Sequence, residues 1–250
     1  MDFKEVLEHH ILDHTLAVFR FGQIHLTLTK HLLAMWIGSL LLIALALGMN
    51  IFPKLHLMIE AIVVYLRDEV VVKALGHHGK KYLHYFLTLF FFILILNLIG
   101  LIPESATATG NISVTATLSL CTFGLIQIAG IREQGFVHYV KSFVPSGLPG
   151  WLVPIMFPIE LLGFVTKTFA LSIRLFMNMI AGHIVVLAFL GLIFIFGALN
   201  PWVGLATAPL SVGMSLFIYL LELVIVVPLQ AFIFTFLTAL FVGAAVHPEH

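Results

Sequence analysis

Residues 158–189, PIELLGFVTKTFALSIRLFMNMIAGHIVVLAF, decide how this chain folds. The stretch is apolar enough to lie in a bilayer, yet it carries Glu160, Lys167, Arg174 and His183. A charged side chain at the bilayer centre costs about 2.5–3.5 kcal/mol on insertion scales, so a charge kept there usually faces water, an ion path or a charged partner. The sequence therefore predicts a membrane helix with a functional polar face.

The three charged residues of this helix form one stripe. Glu160, Lys167 and Arg174 recur at intervals of seven, and helical positions seven apart drift by only about 20°. Asn178 falls on the same stripe. His183 lies about half a turn away from Arg174 on a straight helix, so we expect it to face elsewhere.

The composition is that of a polytopic membrane protein, because 61% of the 250 residues are hydrophobic and only 10% are charged. The formal net charge is zero, which provides no basic surface for nucleic acid. The single cysteine, Cys121, excludes an internal disulfide and a CxxC metal site. The N-terminal residues lack the pattern of a cleavable signal, so we expect the spans to insert as mature helices.

We expect an all-α polytopic membrane protein that forms a single membrane domain. It has about five membrane-crossing helices, one amphipathic surface helix and two long tilted C-terminal helices. Apolar runs long enough to cross about 30 Å of hydrocarbon predict the spans. The predicted segments are 1–29 (outer-side N-terminal segment), 31–52, 82–102 and 112–131 (spans), 54–78 (surface helix), and 151–199 and 201–246 (long helices).

Weaker local patterns add detail. Apolar residues at helical spacing in 3–11 predict a short interfacial helix, and the alternation of apolar and polar residues over 23–29 is a weak strand signal. Serine and threonine residues along 115–122 form a stripe suited to helix–helix contact. Residues 132–150 are rich in glycine and proline, which predicts a surface loop.

The orientation follows from the basic residues. Lysine and arginine cluster in the loops 53–81 and 132–150 and are absent from the turns 103–111 and 197–201. The positive-inside rule places the basic loops in the cytoplasm, the N-terminus outside and the C-terminus inside. No internal repeat is visible, which argues against an inverted-repeat transporter.

Arg174 and His183, in the apolar C-terminal part of the chain, each have two interpretations. Arg174 is permanently charged; it either forms a structural ion pair, for which Glu222 is a candidate, or meets a titrating carboxylate as a fixed charge. His183 is either simply hydrogen-bonded or forms a proton relay with Glu222, since both can exchange protons near neutral pH. Asn178 and Gln230 are polar neighbours that could hold water.

Two further features concern spacing. Glu160 and Lys167 lie nearer the cytoplasmic side, where they either anchor the helix at the interface, with the lysine snorkelling outward, or border an ion path. Glu222 precedes Gln230 by eight residues, which is about 80° round a straight helix, and Pro228 lies between them.

Three segments carry a family resemblance: SIRLFMNMIAGH at 172–183, PLQAFIFTFLT at 228–238 and NLIGLIP at 97–103. Together they resemble the a subunit of F-type ATP synthases, and the similarity covers most of the chain. The pattern RLxxNxxAG followed by Glu or His is highly specific for that family. The QAFIF core supports the resemblance independently.

The resemblance implies a role for each matching residue. Arg174 matches the essential arginine that faces the rotating ring of c subunits, and His183 matches a position that is Glu or His. Asn178, Gln230 and Glu160 match the family's asparagine, glutamine and preceding acid.

One departure concerns Glu222. Family members with an acid in the last helix usually place it seven residues before the glutamine, whereas here the interval is eight. A local bulge between the two residues would restore their common facing.

The family implies a stator with two aqueous half-channels that couple proton flow to rotation of the c-ring and to ATP synthesis. It implies contacts with the c-subunit ring, b-type peripheral stalk subunits, other ATP synthase subunits and the lipid bilayer, in a bacterial inner membrane. No P-loop is present, and we expect no metal, no cofactor and no enzyme activity of the chain alone. The alternatives are a stand-alone secondary ion transporter or channel, and a structural membrane anchor.

Overall fold

A computed structural model of the chain describes residues 15–21, 24–48, 53–102, 107–143 and 152–246. Helices dominate these residues, which confirms the predicted all-α polytopic class. Five helices in the described part of the chain are long and apolar enough to cross a membrane. The interfacial helix predicted in 3–11 lies outside the described residues.

The described chain begins with a two-stranded antiparallel hairpin. Strand β1 is Thr15–Phe21 and strand β2 is Ile24–Thr29. Phe21 pairs with Ile24, and the register shifts between Thr15 and Ala17. The alternation over 23–29 predicted β2, and β1 supplies the hydrogen-bonding partner that any strand requires.

The helices follow in chain order: α1 (Lys30–Gly48), α2 (Pro53–Tyr65), α3 (Gly79–Gly100), α4 (Ile112–Gln134), α5 (Phe136–Ser142), α6 (Val153–Leu199), α7 (Pro201–Leu221) and α8 (Val227–Val246). Helix α6 has 47 residues and is therefore about 70 Å long, more than twice the hydrocarbon thickness of about 30 Å. Helices α7 and α8 form one segment of 46 residues. Both findings confirm the long C-terminal helices.

Within the described residues, two π-helical stretches interrupt the α-helices. The first, Leu66–Val72, extends α2 and leads through the turns Lys73–Leu75 and Gly76–His78 to α3. The second, Glu222–Val226, joins α7 to α8. Such π-helical insertions add one residue to a turn and are frequent at functional sites.

Helix α2 and its π-helical extension have the predicted amphipathic character. Ile59 and Leu66 are buried, whereas Glu60 and Arg67 are exposed. Arg67 donates two hydrogen bonds, of 2.7 and 3.0 Å, to the carboxylate of Asp68. These hydrogen bonds hold the pKa of Asp68 below its usual value.

The prediction of a loop over 132–150 is wrong for its described part, because α4 continues to Gln134 and α5 follows. Tyr139 anchors α5: it is 3% exposed, its hydroxyl donates to Oε1 of Gln127 at 2.9 Å, and its ring packs on Gly130. Tertiary packing of one aromatic side chain stabilises a helix that its local sequence does not favour.

The described residues form two compact units. The first comprises the described parts of Met1–Ile43, Phe92–Asn111 and Leu175–Ala231. The hydroxyl of Tyr219 donates to the carbonyl oxygen of Leu101 at 2.9 Å. One core cluster of this unit consists of buried and partly buried apolar side chains: Leu101, Met179, Val227, Leu94, Tyr219 and Leu223.

The second unit comprises the described parts of Ala44–Phe91, Ile112–Arg174 and Phe232–His250. Glu133 at the end of α4 accepts hydrogen bonds from Lys81 at 2.6 Å and from the hydroxyl of Tyr82 at 3.1 Å.

The polar stripe on α4 is buried in the second unit. Thr115, Ser119 and Thr122 are each at most 1% exposed. This burial confirms the helix–helix contact that their spacing predicts.

Candidate functional site

Glu222 begins the second π-helical stretch and is 4% exposed. The amide N–H of Val227 donates to the carbonyl oxygen of Glu222, five residues earlier, which is the hydrogen-bond spacing of a π-helix. The next residue, Pro228, has no N–H, and its ring would clash with the carbonyl of Val224 in a regular helix. The proline therefore explains why the regular hydrogen-bond pattern of the α-helix is interrupted here.

The π-helical stretch changes the angle between Glu222 and Gln230. Because this stretch absorbs one extra residue, the interval of eight behaves like an interval of seven. The separation round the helix falls from about 80° to about 20°. Gln230 is 6% exposed, so the acid and the amide are both buried. The bulge that the family spacing required is present.

Gly182 of α6 makes room for this carboxyl group. A Cβ atom on Gly182 would collide with the carboxyl carbon and both carboxylate oxygens of Glu222. The backbone of α6 therefore lies directly against the acid, one residue before His183. Two of the predicted site residues, His183 and Glu222, are brought to the same part of the first unit.

His183 is half-buried and contacts the segment that precedes α4. Its Nε2 atom lies 3.2 Å from Oγ1 of Thr107. The same hydroxyl lies 3.4 Å from the carbonyl oxygen of Gly100, to which it donates. His183 is thus anchored on the connection between two spans.

The buried polar atoms of the first unit that have no hydrogen-bond partner within the described protein include Oε1 of Glu222, Nε2 of Gln230 and Oδ1 of Asn97. Buried polar groups in native proteins are almost always satisfied, either by protein or by ordered water. An unsatisfied buried group costs about 1–3 kcal/mol. The donor and acceptor chemistry of these atoms therefore fits bound water.

Arg174 differs from these groups because its side chain is exposed on α6. Among the described residues it forms no salt bridge with an acid. The structural ion pair considered from the sequence has no support in this part of the chain. Asn178, one helical turn further on, is half-buried.

Glu160 and Lys167 are the other charged residues of α6. Glu160 is half-buried and Lys167 is exposed. The ammonium group of Lys167 lies 5.2 Å from the ring centre of Phe164 and 5.9 Å from that of Phe241. Contacts of this kind between a cation and aromatic faces are favourable, and they fit the interpretation of Lys167 as an anchor.

Three residues of this region are not predicted by the sequence: Thr107, Gly182 and Asn97. Asn97 and Gly182 lie inside the family-like segments, but nothing in their local pattern indicates what they contact. Thr107 lies 76 positions before His183, so no periodicity connects the two. Among the described residues, no three His, Cys, Asp or Glu side chains are grouped to hold a metal ion.

Comparison with known proteins identifies the family. The family model of the ATP synthase A chain matches residues 28–243. This chain belongs to that family. The resemblance drawn from the three segments is thereby confirmed, and the chain is a multi-pass membrane component of ATP synthase.

Relatives in this family extend the similarity over most of the chain. ATP synthase subunit a of Myxococcus xanthus is 44% identical in an alignment of 238 positions that covers 92% of this chain and 76% of that protein. Subunit a of Chloroherpeton thalassium is 42% identical, over 97% of this chain and 77% of that protein. ATP synthase subunit a 2 of Chlorobaculum tepidum is 41% identical, over 96% of this chain and 72% of that protein.

Proposed function

We propose that this chain is the stator of the membrane sector of an F-type ATP synthase and conducts protons through two aqueous half-channels. Arg174 is its fixed charge and faces a carboxylate carried by a ring of c subunits. His183, Glu222, Asn178 and Gln230 border the outer half-channel, and Glu160 borders the cytoplasmic one.

The exposed side chain of Arg174 carries this proposal. A guanidinium stays protonated in proteins, and keeping it in a membrane helix costs about 2.5–3.5 kcal/mol. The described part of this chain offers it no acidic partner. An acid on another subunit, presented at the exposed face of α6, supplies the missing counter-charge.

The coupling follows from the cost of charge in lipid. A proton from the outer half-channel neutralises the ring carboxylate, which can then turn into hydrocarbon, where the ionised form is too costly. After nearly a full turn the carboxylate releases its proton to the cytoplasmic half-channel. Arg174 favours the ionised carboxylate and repels protons that would leak directly between the half-channels. Each charge crossing is worth about 2.3 kcal/mol per 100 mV.

The buried groups of the first unit suit the entry path. Glu222 and His183 lie at adjoining positions beside Gly182, and both side-chain types can gain and lose protons. The polar atoms of Glu222, Gln230 and Asn97 that lack partners among the described residues provide hydrogen-bonding sites for water.

The proposed location is a bacterial inner membrane, with the N-terminus outside and the C-terminus in the cytoplasm. The basic residues of the segments 53–81 and 132–150 support this orientation. Alongside the c-ring, b-type peripheral stalk subunits would hold the chain against the torque of rotation. The chain itself would contribute no nucleotide site.

Substitution of the arginine tests the proposal. In the assembled complex, we expect Arg174→Ala to abolish ATP-driven proton pumping into inverted membrane vesicles while the subunit content stays normal. Lys167→Ala is the matched control, since it removes the other cation of the stripe from an exposed position; it should pump at close to the normal rate. Normal pumping by Arg174→Ala, or ion flux through the purified chain in liposomes without a c-ring, would overturn the proposal.

A further inference from the structure

Thr107 lies in the connection between α3 and α4, just before the 3-10 turn Ala108–Gly110. Its Oγ1 atom has two polar neighbours, Nε2 of His183 at 3.2 Å and the carbonyl oxygen of Gly100 at 3.4 Å. The sequence offers no motif at this position, and nothing in the proposed function uses it.

Two glycines fix the place of this threonine. A Cβ atom on Gly100 would lie 3.0 Å from Cγ2 of Thr107, and one on Gly110 would lie 3.1 Å from the same atom. Both distances are shorter than ordinary carbon–carbon contacts. The threonine is therefore packed tightly between two backbone segments, and this packing fixes the position of its Oγ1 atom.

The contacts of Oγ1 of Thr107 with Gly100 and with His183 can both be hydrogen bonds for only one placement of the protons. A threonine hydroxyl has one proton to donate and lone pairs to accept. The carbonyl oxygen of Gly100 can only accept, so it takes the hydroxyl proton. Nε2 of His183 must then be the donor to Oγ1, which places the proton of the neutral imidazole on Nε2.

We infer that Thr107 is a positioning residue that holds His183 in its Nε2-protonated tautomer, so that Nδ1 is the atom that takes up and releases the transported proton. The inference deepens the proposed function and rests on it. When Nδ1 gains a proton, Nε2 keeps its own, so the bond to Thr107 is made in both protonation states. The ring then need not reorient during transfer, which is how a second partner generally fixes a histidine.

Variants of the complete complex test this inference through the initial rate of ATP-driven proton pumping in inverted vesicles. Thr107→Val keeps the shape but loses the acceptor, and we expect the rate to fall about tenfold, the ratio that one lost hydrogen bond supports. Thr107→Ser should restore it to within about twofold. Thr109→Val is the control, because Oγ1 of Thr109 is buried in the same turn without a partner in the described protein; its rate should be unchanged.

A second background separates positioning from general packing. If Thr107 acts through His183, then Thr107→Val should cause no further loss in a His183→Ala complex. An equal loss in both backgrounds, or no loss in either, would refute the inference. Thr107→Cys replaces the valine variant if immunoblots show reduced subunit content. Arg174→Ala, measured in parallel, separates failure of this inference from failure of the proposed function. Unaffected pumping by Arg174→Ala would refute the proposed function itself.

Discussion

Glu222 and Arg174 are an acidic and a basic residue in apolar helices, but the chain surrounds them differently. Glu222 is 4% exposed and lies against the backbone of Gly182, whereas Arg174 is exposed and has no acidic partner among the described residues. A carboxylate can lose its charge by taking a proton, but a guanidinium cannot. A membrane chain can therefore enclose the first and has to present the second to water or to a partner.

This difference predicts where each region is vulnerable. The surroundings of Glu222 are made by this chain, so small changes in packing there should impair proton transfer. The surroundings of Arg174 are completed by another subunit in the proposed function, so changes in the packing behind it should matter less. Three experiments test the comparison, in descending order of expected effect.

Gly182→Ala should have the largest effect. The added methyl group would overlap the carboxyl group of Glu222, and one of the two must move. A displacement of about 1 Å at a reacting group can cost about 100-fold in rate. We expect a loss of that order in ATP-driven proton pumping, measured as the initial rate in inverted vesicles of equal subunit content.

Gly163→Ala is the matched control on the same helix. A Cβ atom at Gly163 meets no described atom within 4 Å, and alanine stabilises an α-helix by about 1 kcal/mol relative to glycine. This variant should pump normally. If the two glycine variants behave alike, the close contact at Gly182 has no bearing on transport.

Removal of the π-helical stretch should have a smaller effect. Deleting Val224, which is 67% exposed, together with Pro228→Ala, should convert the segment into a regular α-helix with Glu222 seven residues before the glutamine. Their common facing is kept, so we expect pumping within about threefold of normal. Growth on a non-fermentable carbon source and vesicle pumping would both report it.

Deleting Leu220 with the same Pro228→Ala change is the control. Leu220 is 49% exposed, but it lies in the regular part of α7. Its loss rotates everything on one side of the deletion by about 100° relative to the other. We expect this variant to lose pumping. Equal activity of the two deletions would show that the facing of Glu222 is unimportant.

The sequence predicts the helices well because their signals are local. Length and hydropathy determine the long helix Val153–Leu199, and charges at intervals of seven single out Arg174 on it. Two features of the sequence indicate the π-helical stretch: the interval of eight residues between Glu222 and Gln230, and the proline Pro228 between them. Each of these features is readable within one helical segment.

Contacts between distant segments could not be predicted in this way. The role of Gly182 depends on a carboxyl group from another helix, so the glycine alone gives no sign of it. Thr107 meets His183 across 76 positions. The helix Phe136–Ser142 was missed because Tyr139 stabilises it by packing rather than by propensity. Periodicity reports which face of a helix is buried and not what it is buried against.

The smallest effect is expected behind Arg174. Ser172, two residues earlier and therefore about 200° round the helix, is 4% exposed and donates a hydrogen bond of 3.2 Å to Oγ1 of Thr115. Hydrogen bonds between membrane helices contribute about 0.6 kcal/mol on average. Ser172→Ala should therefore lower the temperature at which the subunit is released from the purified complex by a few degrees, with pumping reduced by less than about twofold.

A double-mutant cycle with Thr115→Val sharpens this test, because two variants that break the same hydrogen bond should not add. Thr117→Val is the control on the same helix: Thr117 is exposed, and its hydroxyl donates only to its own helix, at the carbonyl of Ser113. If Ser172→Ala alone abolished pumping in fully assembled complexes, the fixed charge would depend on this chain's internal packing as strongly as the buried acid does. The contrast between Arg174 and Glu222 would then be lost.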